Sequence, residues 1–171
     1  VGVFVLRQVQ VGDDHPDRWA IDLLGNILFG GESARLPKIL TDDKKWTAGA
    51  GGGHLFAFRD AGGMVFFGVP TPEGEKNLDG VKKLLTDELN KVAKKGVSSK
   101  ELEKAINQQL MQVVSTLGTN QGRASSIAIG ALFYDDPKRV VTDLERYRAV
   151  TAKDIKRVAK EYLNENWVFY E

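Results

Sequence analysis

The hydrophobic pattern changes period along the chain, and this change constrains the fold more than any other feature of the sequence. Valine occupies most odd positions of residues 1–11, a period of two that predicts a β-strand. Residues 46–60 and 64–70 are also strand-like, and the glycine-rich residues 60–63 that join them predict an antiparallel hairpin. Beyond residue 72 the apolar positions follow helical spacing. The sequence therefore predicts that a block of helices follows the strands.

Start and stop signals divide the helical parts of the sequence into separate helices. Pro16 suits the first turn of the earliest helix, because proline has no N–H to leave unpaired there. Gly96 is placed to end a later helix, and Ser98 with Glu101 forms a capping box that starts the next one. The predicted helices cover residues 17–29, 33–40, 78–95, 98–117, 120–133, 137–148 and 151–163, and a closing strand covers residues 167–170.

This order of elements predicts an α+β fold. Early strands, later helices and one strand at the end favour a mostly antiparallel sheet with helices packed on one face. No segment has the composition of a linker, so residues 1–171 are interpreted as a single domain. Because helices cover one face only, the other face or an edge of the sheet is left available to another domain.

Composition excludes several classes of function. The chain has 24 Lys and Arg residues against 23 Asp and Glu residues, and this net charge of +1 gives no electrostatic case for nucleic acid binding. No apolar run approaches the roughly 18 residues that indicate a membrane span. Cysteine is absent, which excludes disulfides, thiolate zinc sites and a cysteine nucleophile. The partners predicted from composition include neither nucleic acid nor a membrane.

Two parts of the sequence carry a resemblance to a known family. Residues 30–36 read Gly-Gly-Glu-Ser-Ala-Arg-Leu after the first helix, and residues 149–155, Ala-Val-Thr-Ala-Lys-Asp-Ile, open the last one. Together with the opening strand and the glycine-rich strand pair, their order and spacing resemble the pitrilysin/insulinase family of zinc metallopeptidases, which includes the mitochondrial processing peptidases. The resemblance is to the non-catalytic, C-terminal type of domain and covers nearly the whole chain. It implies a metallopeptidase half-domain fold of the LuxS/mitochondrial processing peptidase type.

The zinc motif of that family is missing from this chain. Catalytic members carry His-x-x-Glu-His on a helix, which presents two imidazoles to zinc and a carboxylate that activates water. The two histidines here, His15 and His54, are 39 positions apart and cannot form that motif. We interpret His15 as part of the polar turn before the first helix, and His54 as a strand residue with Phe56 and Phe58. We therefore predict no catalytic residue, metal ligand or cofactor in this chain, and the resemblance implies zinc in a homologous catalytic domain.

The resemblance also indicates which residues face a substrate. The non-catalytic repeat commonly supplies an Arg and, seven residues later, a Tyr, which reach the substrate at the partner's zinc. Matching Leu40 to the Leu before that Arg places Thr41 and Ala48 at the two positions. Thr has no cationic fork and Ala has no phenol, so neither can stabilise an oxyanion. We interpret the pair as lost, with a shift of the alignment around residues 44–46 as the alternative, and expect both residues near the wall of a substrate chamber.

The glycine-rich residues 49–53 are the other candidate for substrate contact. A phosphate-binding loop needs Gly-Lys-Ser/Thr at the start of a helix, whereas aromatic strand residues follow here. Glycines in a strand indicate a bulge or the close approach of another backbone. In a peptidase half, that neighbour is a peptide strand or the opposing domain. Gly51 and Gly52 therefore join Thr41 and Ala48 as substrate-facing candidates.

The sequence is compatible with two functions. The preferred interpretation is the non-catalytic half of a pitrilysin/insulinase-type zinc metalloendopeptidase, which encloses a peptide substrate with a separate His-x-x-Glu-His domain in the same chain or in a partner subunit. The alternative is a structural or assembly domain like the core proteins of the cytochrome bc complex. The start at Val1, inside a strand and without Met, is interpreted as excision from a longer parent. The resemblance suggests a bacterial periplasm or envelope, and the isolated domain is expected to expose apolar sheet or edge surface.

Overall fold

A computed structural model describes residues 3–9, 11–55, 61–163 and 167–170, and every element below belongs to these residues. The strands are β1 (Val3–Val9), β2 (Thr47–Leu55), β3 (Gly62–Pro70) and β4 (Val168–Tyr170). The helices are α1 (Arg18–Phe29), α2 (Arg35–Pro37), which continues into a π-helical turn (Lys38–Asp43), α3 (Pro72–Glu75), α4 (Leu78–Lys95), α5 (Ser99–Leu117), α6 (Asn120–Tyr134), α7 (Arg139–Ala149) and α8 (Ala152–Tyr162). The predicted α+β fold class is confirmed.

The four described strands form one antiparallel sheet in the order β2-β3-β1-β4. The predicted hairpin is confirmed as the pair β2 and β3, but the position predicted for its turn is wrong. Gly62 and Gly63, which the sequence places in the turn, lie in β3 and pair with Val9 and Gln8 of β1. Residues 56–60, predicted as strand, lie outside the described residues.

Helices cover one face of this sheet. Along β3, Met64 and Phe66 are fully buried beneath the helices, whereas Phe67 and Val69 are about half exposed. Because successive side chains of a strand point to opposite faces, Met64 and Phe66 lie on the helix-covered face, and Phe67 and Val69 lie on the other face. Val65 also lies on that other face but is buried. The expected exposure of apolar sheet surface is therefore present at Phe67 and Val69.

Helix α1 lies against β2 and carries the centre of the core. Phe29 packs on Phe66 of β3 with 5.6 Å between the ring centroids. Gly25 marks the closest approach to β2, because a Cβ at this position would lie 2.8 Å from the backbone nitrogen of His54. Each fully buried Leu or Ile side chain contributes about 1.5–3 kcal/mol of hydrophobic stabilisation, so the apolar face of α1 fixes the helix on the sheet. The buried residues of α1 are Trp19, Ala20, Ile21, Leu23, Leu24, Gly25, Ile27, Leu28 and Phe29.

The helix ends follow the predicted signals with three differences. Ser98 and Glu101 form the predicted capping box, α8 begins with a second one, and Gly96 ends α4 with a φ of 79° that favours glycine. Pro16, however, lies one residue before the N-cap of α1 and not in its first turn. The helix predicted at residues 33–40 begins later and continues as the π-helical turn, and α3 was not predicted.

The remaining helices form a well-packed part and a loosely packed part. Helices α4 and α8 pack on each other, and α8 packs on α1. The two helices bury Leu85, Val92, Ile155 and Val158 in the same cluster as the α1 side chains. Helix α6 packs against α5 and α7, and Gly130 is the only buried residue among those described in α6. The core thus lies between α1, α4, α8 and the sheet, with α6 at its margin.

Candidate functional site

The start of β2 brings Thr41 and Ala48 to one corner of the sheet. Thr41 is half-buried in the π-helical turn, and its hydroxyl oxygen lies 2.9 Å from that of Thr47, the first residue of β2. Ala48 follows and is exposed in an irregularity of the strand pairing between Thr47 and Gly49. A hydroxyl engaged by its neighbour and a methyl group offer no charge to an oxyanion. Contact of either residue with a substrate stays a prediction.

Trp46 fixes this corner through its backbone. Its N–H donates to the Leu40 carbonyl at 2.8 Å, and its own carbonyl accepts from the Thr71 N–H at 2.9 Å. Gly74 of α3 passes so close that a Cβ there would lie 1.8 Å from the Trp46 carbonyl oxygen. The Lys44 ammonium lies 5.6 Å from the centroid of the Trp46 ring, a cation–π distance. Helix α3, which the sequence did not predict, therefore packs against the residue that leads into β2.

The outer edge of β2 is the surface here that is best suited to bind an extended chain. In the described sheet β2 is terminal, with β3 on its inner side and no described strand on its outer side. Ala48 and Gly49 are exposed, and Ala50 and Gly51 are half-buried. These residues have at most a methyl side chain, so their own side chains do not cover the backbone N–H and C=O groups of the edge. A free edge of this kind can pair with an added peptide strand.

Gly52 is explained first by contacts inside this chain, whereas Gly51 is not. Gly52 has a φ of 155°, and a Cβ there would lie 2.0 Å from the Val65 carbonyl oxygen. A Cβ at Gly51 would lie 3.4 Å from the ring of Phe67, an ordinary van der Waals distance that does not require glycine. The predicted close approach of another backbone therefore exists at Gly52, within the β2–β3 pair. Contact of these two residues with a peptide stays a prediction.

His54 belongs to a buried hydrogen-bond cluster on the helix side of the sheet. Its side chain is fully buried, and its Nδ1 lies 2.6 Å from Asp22 Oδ1. The second Asp22 oxygen accepts from the Tyr147 hydroxyl at 2.6 Å. Burial raises the pKa of Tyr147, and the Asp22 carboxylate raises it further, so Tyr147 is held as a neutral donor. The interpretation of His54 as a strand residue is confirmed; Phe56 and Phe58 lie outside the described residues.

A charged cluster joins the start of α1 to α7 beside a cavity of about 230 Å³. Arg18 Nη1 lies 2.6 Å from an Asp13 oxygen and 3.6 Å from an Asp143 oxygen, and Arg139 Nη1 lies 2.6 Å from Asp14. Burial raises the pKa of Asp13, although Arg18 and Arg139 oppose the shift. Partly buried charges are tolerated when they are paired. The cluster is therefore a structural link between elements more than 100 positions apart, and the sequence did not reveal it.

The described residues do not fit a zinc site. No group of three or more His, Asp or Glu side chains among them is placed to hold a metal ion. His15 Nδ1 accepts from the Asp17 N–H at 3.1 Å, in the turn before α1 where the sequence placed it. His54 faces Asp22 in the cluster described above. Structural zinc needs four ligands and catalytic zinc needs three, so no catalytic step can be assigned to a metal held by these residues.

Comparison with known proteins assigns the chain to a family. A family model described as the peptidase M16 inactive domain matches residues 2–109, which is more than half of the chain. The chain therefore belongs to the family of peptidase M16 inactive domains. It is 29% identical over 146 residues to an uncharacterized zinc protease from Streptomyces coelicolor, and this match covers 85% of the chain and 31% of that protein.

Solved structures share the fold. A protease from Helicobacter pylori superposes with a TM-score of 0.83 at 23% identity, over 98% of this chain and 40% of that chain. The inactive peptidase domain of a proposed zinc protease from Bordetella parapertussis gives 0.81 at 23% identity, over 99% of this chain and 89% of that chain. The chain thus spans less than half the length of the Streptomyces and Helicobacter proteins. None of the helices in the described ranges is both long enough and apolar enough to cross a membrane.

Proposed function

We propose that this chain is the non-catalytic half of a zinc metalloendopeptidase and that it encloses a peptide chamber with a separate domain that carries His-x-x-Glu-His. The match to an inactive peptidase domain over residues 2–109 carries the proposal. The Streptomyces relative, described as a zinc protease, supports it. In this proposal the zinc and the water that attacks the peptide bond belong to the other domain.

The outer edge of β2 is the surface of this half that we propose to face the peptide. Its backbone groups would pair with an extended chain through main-chain hydrogen bonds, a mode that depends little on the side chains of the peptide. Thr41 and Ala48 lie at one end of this edge and supply no charge. This half would therefore position the peptide, and the stabilisation of the oxyanion would come from the catalytic domain.

An assembly domain without proteolysis is the alternative that the sequence left open. The family match and the zinc protease relative favour the peptidase half, and no feature of the described residues favours the alternative. A polypeptide with His-x-x-Glu-His, encoded with this chain or next to it, is the partner that the preferred function requires.

The experiment is to combine this chain with the His-x-x-Glu-His domain and to measure sedimentation and peptide cleavage. We expect a complex at tens of micromolar, and cleavage that the chain alone does not show. A catalytic domain that is fully active alone and forms no complex with this chain would contradict the proposed function.

Restoring the Arg/Tyr pair tests the orientation of the corner. In the complex, Thr41→Arg with Ala48→Tyr should raise turnover by roughly tenfold, because oxyanion donors in active sites contribute that much or more. The matched control, Thr41→Lys with Ala48→Phe, keeps a cation and a ring but lacks the guanidinium fork and the phenol. Equal turnover of the wild type and the Arg/Tyr variant, in complexes that still form, would show that this corner does not face the catalytic centre.

The proposed compartment is the bacterial periplasm or envelope. Cell fractionation with an antibody to the chain tests this location, and recovery in the cytoplasmic fraction alone would contradict it.

A further inference from the structure

Helix α6 carries an apolar ridge that faces away from the rest of the molecule. Five exposed apolar residues recur on it at positions i, i+3, i+4, i+7 and i+8, which places them on one side of the helix. Leu132 is 79% exposed and Ile127 is 51% exposed. We call this feature the α6 ridge, and its residues are Ala124, Ile127, Ala128, Ala131 and Leu132.

The α6 ridge carries no charged side chain, and further exposed apolar side chains lie on the helices beside it. No Asp, Glu, Lys or Arg occurs between Arg123 and Asp135. Large apolar side chains that are half or more exposed occur on α6 and on its neighbours α5 and α7. These side chains are Met111, Val114, Ile127, Ile129, Leu132, Phe133 and Val141. Ile129 and Phe133 follow Ala124 by five and nine residues, so they project from a different side of α6 than the ridge. The other five offer on the order of 500 Å², within the ~300–600 Å² of the largest apolar patches on monomers, which are often functional.

The packing of α6 inside this chain does not explain its apolar composition. Most helices in proteins are stable because they bury an apolar face. Helix α8 does so with Ile155, Val158 and Ala159, whereas Gly130 is the only buried residue among those described in α6. A helix that leaves Leu132 and Ile127 in water gains stability only when another body covers them.

We propose that the α6 ridge and the adjoining apolar side chains of α5 and α7 are the docking face for the catalytic half of the peptidase. This inference rests on the proposed function and names the surface that the function requires. The Helicobacter protease and the Streptomyces zinc protease extend well beyond the part that this chain matches, which covers 40% and 31% of them. A further domain of similar or larger size is therefore present in such proteins to cover a surface of this area.

The uncovered sheet face is the competing surface. It exposes Phe67, Val69, Leu55 and Val168 at about half of their area each. It therefore offers fewer large apolar side chains than the surface around α6, where the most exposed side chains, Leu132 at 79% and Met111 at 67%, also lie. The sheet face was the surface expected from the sequence, and it serves as the comparison in the test.

The test compares two pairs of substitutions in the complete 171-residue chain, with the separately expressed His-x-x-Glu-His half as the binding partner. Ile127→Lys with Leu132→Lys places two charges on the α6 ridge. Phe67→Lys with Val69→Lys places two charges on the sheet face. We expect the ridge variant to bind roughly tenfold or more weakly, because a charge buried in an apolar interface lacks a partner. The sheet variant should bind within about threefold of wild type, since rim and non-interface changes have small effects.

All four substituted side chains are at least 48% exposed, so the variants should fold. Far-UV circular dichroism spectra and melting temperatures that match those of the wild type check this. Hydrogen exchange gives a second measurement that needs no variant: the amides of α6 should exchange more slowly in the complex than in the free chain. Unchanged exchange in α6, together with wild-type affinity of the ridge variant, would overturn the docking face and leave the proposed function standing. No binding by the wild-type chain would overturn both. A dimer of the chain alone that the ridge variant breaks would assign the ridge to a second copy and also overturn the inference.

Discussion

Replacement of Gly52 by alanine should destabilise the chain, and a second glycine of the same strand provides the control. Gly52 has a φ of 155°, and a Cβ on it would lie 2.0 Å from the Val65 carbonyl oxygen. Backbone strain at such a φ costs about 1–3 kcal/mol, and overpacking against a neighbouring backbone costs a further ~1–3 kcal/mol. The loss of unfolded-state entropy with alanine offsets about 0.4–1 kcal/mol. Strain and overpacking therefore win, and Gly52→Ala should destabilise the chain by about 3 kcal/mol.

Gly49→Ala is the matched control. No described atom lies within 4 Å of a Cβ at Gly49, and its φ is not positive, so the substitution should change the free energy of unfolding by less than about 1 kcal/mol. The assay is thermal and urea unfolding of both variants. For a chain of this length, the difference should separate the two melting temperatures by about 6–12 °C. Equal stability of the two variants would refute the steric argument and leave the glycine to be explained by contact with a partner or a peptide.

Three further outcomes follow from the structure. Tyr147→Phe should lower the free energy of unfolding in urea by about 1.5–3 kcal/mol, because the partly buried Asp22 carboxylate loses a donor. The exposed Val141→Ala on the same helix should change it by no more than about 0.5 kcal/mol, and a smaller loss for Tyr147→Phe than for this control would contradict the cluster. Hydrogen bonds from Arg35 lower the pKa of Glu101 to about 2, so their stabilisation is present above pH ~4.5 and is lost as the pH falls towards 2. Because the Glu101 side chain is 34% exposed, we expect about 1 kcal/mol after solvent screening, and Arg35→Ala should flatten the fall in urea midpoint between about pH 5 and pH 2. The purified chain should bind no stoichiometric zinc by metal analysis, and a tight one-to-one site that is lost on replacing either histidine would contradict this.

Features set by neighbouring residues could be predicted from the sequence. The capping box of Ser98 and Glu101 needs only four consecutive positions, and the glycine that ends α4, Gly96, needs only the end of the periodic pattern. Both were placed correctly for that reason. The class of fold was also predictable, because the order of strand and helix periods is itself a property of the sequence.

Features set by distant residues could not be predicted. Gly62 reads as a turn residue, but it is required inside β3 because a Cβ there would lie 2.2 Å from His54 Nε2. Asp22 and Tyr147 form a hydrogen bond although they are 125 positions apart in the sequence. No local pattern contains either contact.

The candidate site also combines features that the sequence predicts with contacts that it does not predict. The resemblance placed Thr41 and Ala48 at the end of the short helix and the start of β2, where they lie. It could not show that Thr41 is engaged by Thr47, or that Gly52 is required by its own neighbour Val65. Those contacts depend on the register of β2 against β3, which a single sequence leaves open.

The outer edge of β2, proposed to bind the peptide, and the α6 ridge, proposed to bind the catalytic half, belong to different parts of the fold. Their roles can therefore be tested separately. The edge of β2 rests on β3 and α1, which carry the centre of the core, whereas α6 rests on α5 and α7 at its margin. Substitutions more than about 7–10 Å apart that share no partners act independently. A loss of peptide cleavage with intact assembly therefore indicates a defect at the β2 edge, and a loss of assembly with intact folding indicates a defect at the α6 ridge. The charged cluster of Arg18, Asp13 and Asp143 ties α1 to α7, so side chains of this chain link the part of the fold that carries the β2 edge to the part that carries α6. A non-catalytic half that acts by holding a peptide and a partner in fixed positions needs this kind of internally stabilised frame.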